Sequence, residues 1–109
     1  MRGFNGFRMA RLGVATEKVP GGKLLRVKAW VSEDGSVIEK TQVTGDFFAH
    51  PEDCVLEIEK ALSGAKASLD EKALGERVGR VVEARKAVLV GVDPTAIARV
   101  LKAAASNAK

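Results

Sequence analysis

Apolar and polar positions alternate through the first third of the chain and recur at helical spacing through the rest. Leu25, Val27, Ala29 and Val31 alternate with Arg26, Lys28 and Trp30. That is the two-residue period of a strand with one aliphatic face and one face carrying two cations and an aromatic ring. Arg8 to Lys18 shows the same period imperfectly, with Met9, Leu12, Val14 and Ala15 among Arg8, Arg11, Thr16 and Glu17; Gly13 interrupts it and marks room for a bulge. Val19-Pro20-Gly21-Gly22-Lys23 between these runs is a turn, since proline presets the first corner and glycine takes conformations closed to other residues. Ser32-Glu33-Asp34-Gly35-Ser36 supplies a second turn, and Val37 to Val43 a third, β-branched strand with Glu39, Lys40, Thr41 and Gln42 on its polar side. The three strands predict an antiparallel meander.

Thr44-Gly45-Asp46-Phe47-Phe48-Ala49-His50-Pro51-Glu52-Asp53 is the joint where the period changes. Gly45 can take the positive φ with which a strand leaves a sheet, and Asp46 can accept from nearby backbone N–H groups. Phe47 and Phe48 together predict a core anchor. Pro51 suits the first turn of a helix, with Glu52 and Asp53 complementing its positive end. Val55, Ile58, Ala61 and Leu62 then follow at helical spacing, flanked by Cys54 and Leu56, with Glu52, Asp53, Glu57, Glu59 and Lys60 facing water, and Ser63-Gly64 ends the run. Leu69 to Arg85 predicts a second helix with Leu69, Ala73, Val78, Val81 and Val82 on one face, weakened at Gly75 and Gly79 unless close packing requires them. Ala87 to Val92 admits a short buried strand or the end of the preceding helix, and the extended form is favoured. Asp93-Pro94 caps a last helix with Ile97, Val100, Leu101 and Ala104 as its apolar stripe.

The fold class expected is therefore α+β, a three-stranded antiparallel meander packed by about three C-terminal helices. The length of 109 residues, 46% of them hydrophobic, suits one domain over 1–109. Within it 1–7 reads as a loose lead-in or a segment ordered by docking, 8–48 as sheet and 51–109 as mainly helical. Cys54 is the only cysteine and His50 the only histidine, which excludes an intramolecular disulfide, a thiolate cluster and a multi-histidine zinc site. No apolar run approaches a membrane span and the N-terminus has no secretory apolar core, so a soluble, cytoplasmic protein is expected.

The net charge of +4 hides a segregation along the chain: residues 1–30 carry +6, residues 31–65 carry −6 and residues 66–109 carry +4. A basic end of this kind faces an acidic partner, nucleic acid or nucleotide phosphates, or is simply a solvated sheet face.

Candidate chemistry is sparse. No Walker loop, dinucleotide fingerprint, nucleophile elbow or HExxH is present. Gly21, Gly22 and Lys23 offer backbone and charge to a phosphate, yet they join two strands and lack the following helix N-terminus of a phosphate loop, so a hairpin turn is the plainer reading. Cys54 lies near a helix start with His50 four residues before it, but Asp53 beside it disfavours a thiolate. Asp46 and Glu52 could pair as acid and base, although turn and helix-start roles account for both.

The string Val19-Pro20-Gly21-Gly22-Lys23-Leu24-Leu25-Arg26-Val27 precedes one further strand and then the joint from Thr44 to Asp53. Leu56-Glu57-Ile58-Glu59-Lys60-Ala61-Leu62-Ser63-Gly64 and Gly91-Val92-Asp93-Pro94 follow. In this order they resemble the C-terminal accessory domain of lipoate-protein ligases, from about Lys18 onward. The resemblance implies the α+β fold of iron–sulfur scaffold and sulfur-acceptor proteins. It also implies a separate small subunit of a bipartite, archaeal-type ligase, non-catalytic alone. Its partner would be the catalytic large subunit, which handles lipoate and ATP with Mg and forms the lipoyl-adenylate. The acceptors would be lipoyl domains of 2-oxoacid dehydrogenase complexes or the glycine cleavage H protein. The residues expected to face the partner's active site are Pro20, Gly21, Gly22 and Lys23 in the turn and Gly45, Asp46, Phe47 and Phe48 in the joint; no catalytic or metal-binding residue is assigned. Two other classes remain open: a nucleic-acid module using Arg8, Arg11, Lys23, Arg26, Lys28 and Trp30, and a sulfur acceptor working through Cys54.

Overall fold

The computed structural model describes residues 10–19 and 23–108. The turn residues Pro20, Gly21 and Gly22, the segment 1–7, and Arg8 lie outside the described residues. Strands β1 (Arg11–Val19), β2 (Lys23–Val31) and β3 (Val37–Gly45) form the expected antiparallel meander, and the short β5 (Ala65–Lys66) adds to its far edge beside Val37 and Ile38. Helices α1 (Cys54–Leu62), α2 (Glu71–Ala84) and α3 (Pro94–Ser106) cover one face. Helix α3 lies across β1 and β2, α1 lies against β3, and α2 packs on both helices.

The period-2 alternation explains the layering. Leu25, Val27, Ala29 and Val31 point into the helix layer and are buried. They meet Ile58 and Leu62 of α1, Leu74 and Val78 of α2, and Ile97, Val100, Leu101 and Ala104 of α3 in one hydrophobic cluster. Burying each of the larger side chains contributes about 1.5–3 kcal/mol relative to leaving it in water. The helix starts follow from their caps: Asp70 Oδ1 accepts from Ala73 N at 2.8 Å and Asp93 Oδ1 from Ala96 N at 2.7 Å. The second helix accordingly begins at Glu71, and its buried positions are Leu74 and Val78; the face expected from Leu69 to Val82 is half-buried except at Val78.

Four expectations are corrected. The β1–β2 register runs without interruption through the Gly13–Ala29 pair, and the irregularity lies instead between Trp30 and Val31 in the β2–β3 pairing. Gly13 serves a close approach: a Cβ there would stand 1.8 Å from the Ala104 carbonyl oxygen of α3. Helix α1 starts at Cys54, not Pro51, because residues 51–53 form a turn in which the Pro51 carbonyl accepts from Cys54 N at 3.0 Å. Before that turn, Phe48–His50 forms β4, which pairs antiparallel with β6 (Val88–Val90) in a separate two-stranded ribbon. The extended reading of 87–92 is thus correct, but Val88 and Val90 are outward, 54% and 55% exposed. Glu59 also departs from a plain solvent-facing role: its carboxylate accepts from Val43 N at 2.7 Å, occupying the β3 edge beyond the reach of β5.

Candidate functional site

The joint, the start of β2 and the β6–α3 loop converge at one end of the sheet. Gly45 ends β3 at a φ of +154°, and a Cβ on it would lie 2.3 Å from the Leu24 carbonyl oxygen. Only a residue without a side chain lets the two backbones meet this closely. The next residue fixes the contact, since Asp46 N donates to that same carbonyl at 2.8 Å. Gly91 closes the third side: a Cβ built there would meet Lys23 Cγ at 3.3 Å, the Asp46 carbonyl oxygen at 3.5 Å and Phe47 Cα at 3.6 Å. The structure therefore gathers Lys23, Gly45, Asp46 and Phe47, and adds Gly91, which the sequence places in the 87–92 segment and in a resembling motif without marking it as a site residue. Among the described residues, no hydrogen bond or ion pair holds the Lys23 ammonium.

The two phenylalanines part company. Phe47 is half-buried and packs on the core. Phe48 is 57% exposed, because successive strand side chains point to opposite faces. It is paired with Val90, and His50 with Val88, so the outward face of the ribbon presents Phe48, Val88 and Val90 together. Scattered apolar residues are ordinary on a protein surface; three at cross-strand spacing beside a gathered joint form a patch suited to a partner.

Beside the joint lies an open cleft of about 360 Å³, lined by Val19, Gly91, Val92, Asp93, Thr95, Ala96 and Arg99. Its charged groups are already engaged. Asp93 caps α3. Arg99 donates from Nε to both Glu17 carboxylate oxygens at 3.1 and 3.0 Å, and from Nη2 to one of them. That hydrogen bonding is the main reason the Glu17 pKa falls below its ordinary value, and the Arg99 pKa rises for the same reason. Thr95 is the only hydroxyl in this lining. A second opening runs along the turn from Ser32 to Glu39. There Asp34 Oδ1 accepts from Ser32 Oγ, Ser36 Oγ and Ser36 N, with the hydroxyl of Ser36 the largest influence drawing its pKa down to about 2.

Cys54 is buried at the first position of α1, and burial pushes its thiol pKa up, the reverse of what a nucleophilic or sulfur-carrying thiol requires. Among the described residues, no three His, Cys, Asp or Glu side chains gather to hold a metal ion, and no helix is long and apolar enough to cross a membrane. The ribbon and its outward face were missed in the sequence because three-residue strands are too short to show a period; the β-branched Val88 and Val90 were the one available signal.

No protein-family model matches the chain, and no curated protein matches it. Among solved structures it is similar to a chain of an archaeal lipoylation system from Thermoplasma acidophilum, comprising a bipartite lipoate protein ligase and its E2 lipoyl domain. The TM-score is 0.67 at 24% identity, over 85% of this chain and 97% of that one. The two chains share the fold: an antiparallel β1–β2–β3 sheet with three helices.

Proposed function

We propose that this chain is the small, non-catalytic accessory subunit of a bipartite lipoate-protein ligase. The observation that carries the reading is the exposed Phe48, Val88 and Val90 face of the β4–β6 ribbon, contiguous through Gly91 with Lys23 and the Gly45-Asp46-Phe47 joint. An apolar patch beside a lysine with no ion-pair partner among the described residues, next to a cleft whose charged groups are already engaged elsewhere, suits docking on an active site held by another chain. The shared fold with the Thermoplasma system agrees with it. In this reading Phe48, Val88 and Val90 bury against the catalytic subunit, and Lys23 reaches toward the phosphates or the adenylate. The partner binds lipoate and ATP with Mg, and the pair lipoylates acceptor domains of 2-oxoacid dehydrogenase complexes or the glycine cleavage H protein in the cytoplasm.

The test is lipoyl-adenylate formation by a catalytic chain from the same organism, with and without this one. The expected result is activity dependent on both chains, lost when Phe48→Ser removes the apolar anchor, with the Phe48→Ser chain still folded because its side chain is already exposed. Lys23→Ala should bind the partner normally and form adenylate more slowly. Full activity of the catalytic chain alone overturns the proposal.

The alternative, a small nucleic-acid-binding module, is favoured by the cations on the uncovered sheet face. The ring needed for stacking is compromised, however, because Lys40 Nζ lies 5.0 Å from the Trp30 ring centroid and caps one side of it.

A further inference from the structure

The sheet face turned away from the helices is uncovered by any described residue, and cations predominate on it. Alternation puts Lys18 of β1, Arg26 and Lys28 of β2 and Lys40 of β3 on it. The regular cross-strand positions around them are filled by Thr16, Gln42, Thr44 and apolar residues, with no carboxylate among them. Like charges directly opposite one another cost stability, and the register avoids this: Arg26 stands between Thr16 and Thr44, and Lys28 between Val14 and Gln42. Arg26 Nε donates to Thr16 Oγ1 at 3.2 Å, which orients the guanidinium across the face. A surface with four cations, and among the described residues only Glu39 as an acid, at the β3 irregularity beside Lys40, attracts an acidic partner from a distance and does so in a salt-dependent way.

Leu12 and Val14, 43% and 39% exposed, are interleaved with these cations, and Leu24 at 42% continues the face to the joint. Exposed aliphatics among cations suit a protein surface better than a phosphate backbone, and the capped Trp30 ring removes the stacking platform a single strand uses. This charged face also differs in kind from the apolar ribbon. Lasting subunit contacts tend to be apolar, whereas short-lived encounters use charge complementarity to gain association rate.

Building on the accessory-subunit reading, we propose that the open cationic face of β1–β2–β3 is the landing surface for the acidic side of the acceptor domain, which must come and go with each transfer while the catalytic chain stays bound at the ribbon.

The experiment uses the reconstituted pair of chains with the apo form of the same organism's lipoyl acceptor domain, and compares the wild-type chain with a Lys18→Glu, Arg26→Glu, Lys28→Glu triple variant. Adenylate formation without acceptor is measured alongside transfer to acceptor. The expected result is unchanged adenylate formation and a KM for the acceptor raised about tenfold or more with little change in kcat, and a wild-type KM that rises with salt. An unchanged KM overturns the landing surface while leaving the accessory role intact. Loss of adenylate formation by a variant that still melts like wild type also overturns it, because the face then belongs to the catalytic chain. Tighter binding of the wild-type chain to a single-stranded 20-mer RNA than to the acceptor domain overturns it in favour of nucleic acid. Absence of stimulation by the wild-type chain is the separate failure of the accessory reading itself.

Discussion

Substituting Gly13 by alanine adds one methyl group where β1 and α3 touch backbone to backbone. The new Cβ would lie 1.8 Å from the Ala104 carbonyl oxygen and 2.7 Å from Ala108 N. A carbon–oxygen contact needs about 3.3 Å, so the end of α3 must recoil by roughly 1.5 Å. Neither neighbour is the free end of a side chain, and both are fixed in backbone. The recoil lifts Ala104 and Leu101, each fully buried, off the sheet and pulls Asn107 Nδ2 from its 3.1 Å bond to the Val14 carbonyl oxygen. Overpacking of this severity costs about 3 kcal/mol, at the top of the usual range. For a domain of this size that lowers Tm by about 12 °C or more. Gly79 is the matched control, because a Cβ there meets nothing within 4 Å. Gly79→Ala should stabilise the middle of α2 by up to about 1 kcal/mol. Thermal melts followed by circular dichroism read both. A Gly13→Ala protein melting within about 3 °C of wild type refutes the reasoning, and the opposite signs expected from one chemical change at two sites make a general effect of alanine insufficient as an explanation.

Four further outcomes are expected. Glu17→Gln removes the Arg99 ion pair, whose side chains are 36% and 39% exposed, and should cost less than about 1 kcal/mol at neutral pH. Because the folded-state pKa of Glu17 is depressed, that stabilisation is complete above its unfolded value and disappears as pH falls through the folded value; urea midpoints of the two proteins should therefore converge on acidification. Thr41 Oγ1 is buried with no hydrogen-bond partner among the described residues, so Thr41→Val should raise stability by about 1 kcal/mol in denaturant titration, and a loss would mean that the hydroxyl has a partner. Cys54 should react with a thiol reagent only as fast as the structure opens, and Cys54→Ser, which buries a hydroxyl in place of a thiol, should cost about 1–2 kcal/mol. Amide exchange should be faster in the three-residue strands β4 and β6 than in β1–β3, and the proposed docking predicts that it slows on addition of a catalytic chain.

What the sequence revealed depended on the length over which each pattern repeats. Strand β2 alternates through nine residues, and α3 carries its stripe through several turns behind an Asp93-Pro94 cap; both are legible because many positions agree on one period. Gly13 was ambiguous for a physical reason. A glycine within a strand signals either a bulge or a close neighbour, and only the position of α3, ninety residues later in sequence, decides between them. Pro51 was misread because proline fits a turn before a helix as well as a helix's first residue. Paired phenylalanines suggested a single anchor, whereas Phe47, just before β4, packs on the core and Phe48, the first residue of β4, faces outward.

The candidate site was only half legible, since its parts come from three separate stretches. Lys23 and the Gly45-Asp46-Phe47 joint were singled out from their types and order, but the β6 segment that completes the surface pairs with β4 across about forty residues. Two three-residue strands cannot stand alone in water. The ribbon is held because Phe47 and Leu89 turn inward onto the core while Gly91, bare of a side chain, lets the joint and the Lys23 stem close over its far end. Among the described residues, the outward side chains of these strands are thereby left largely exposed. Inward residues that fix a short ribbon and outward ones left about half exposed are the division of labour that the proposed docking surface requires.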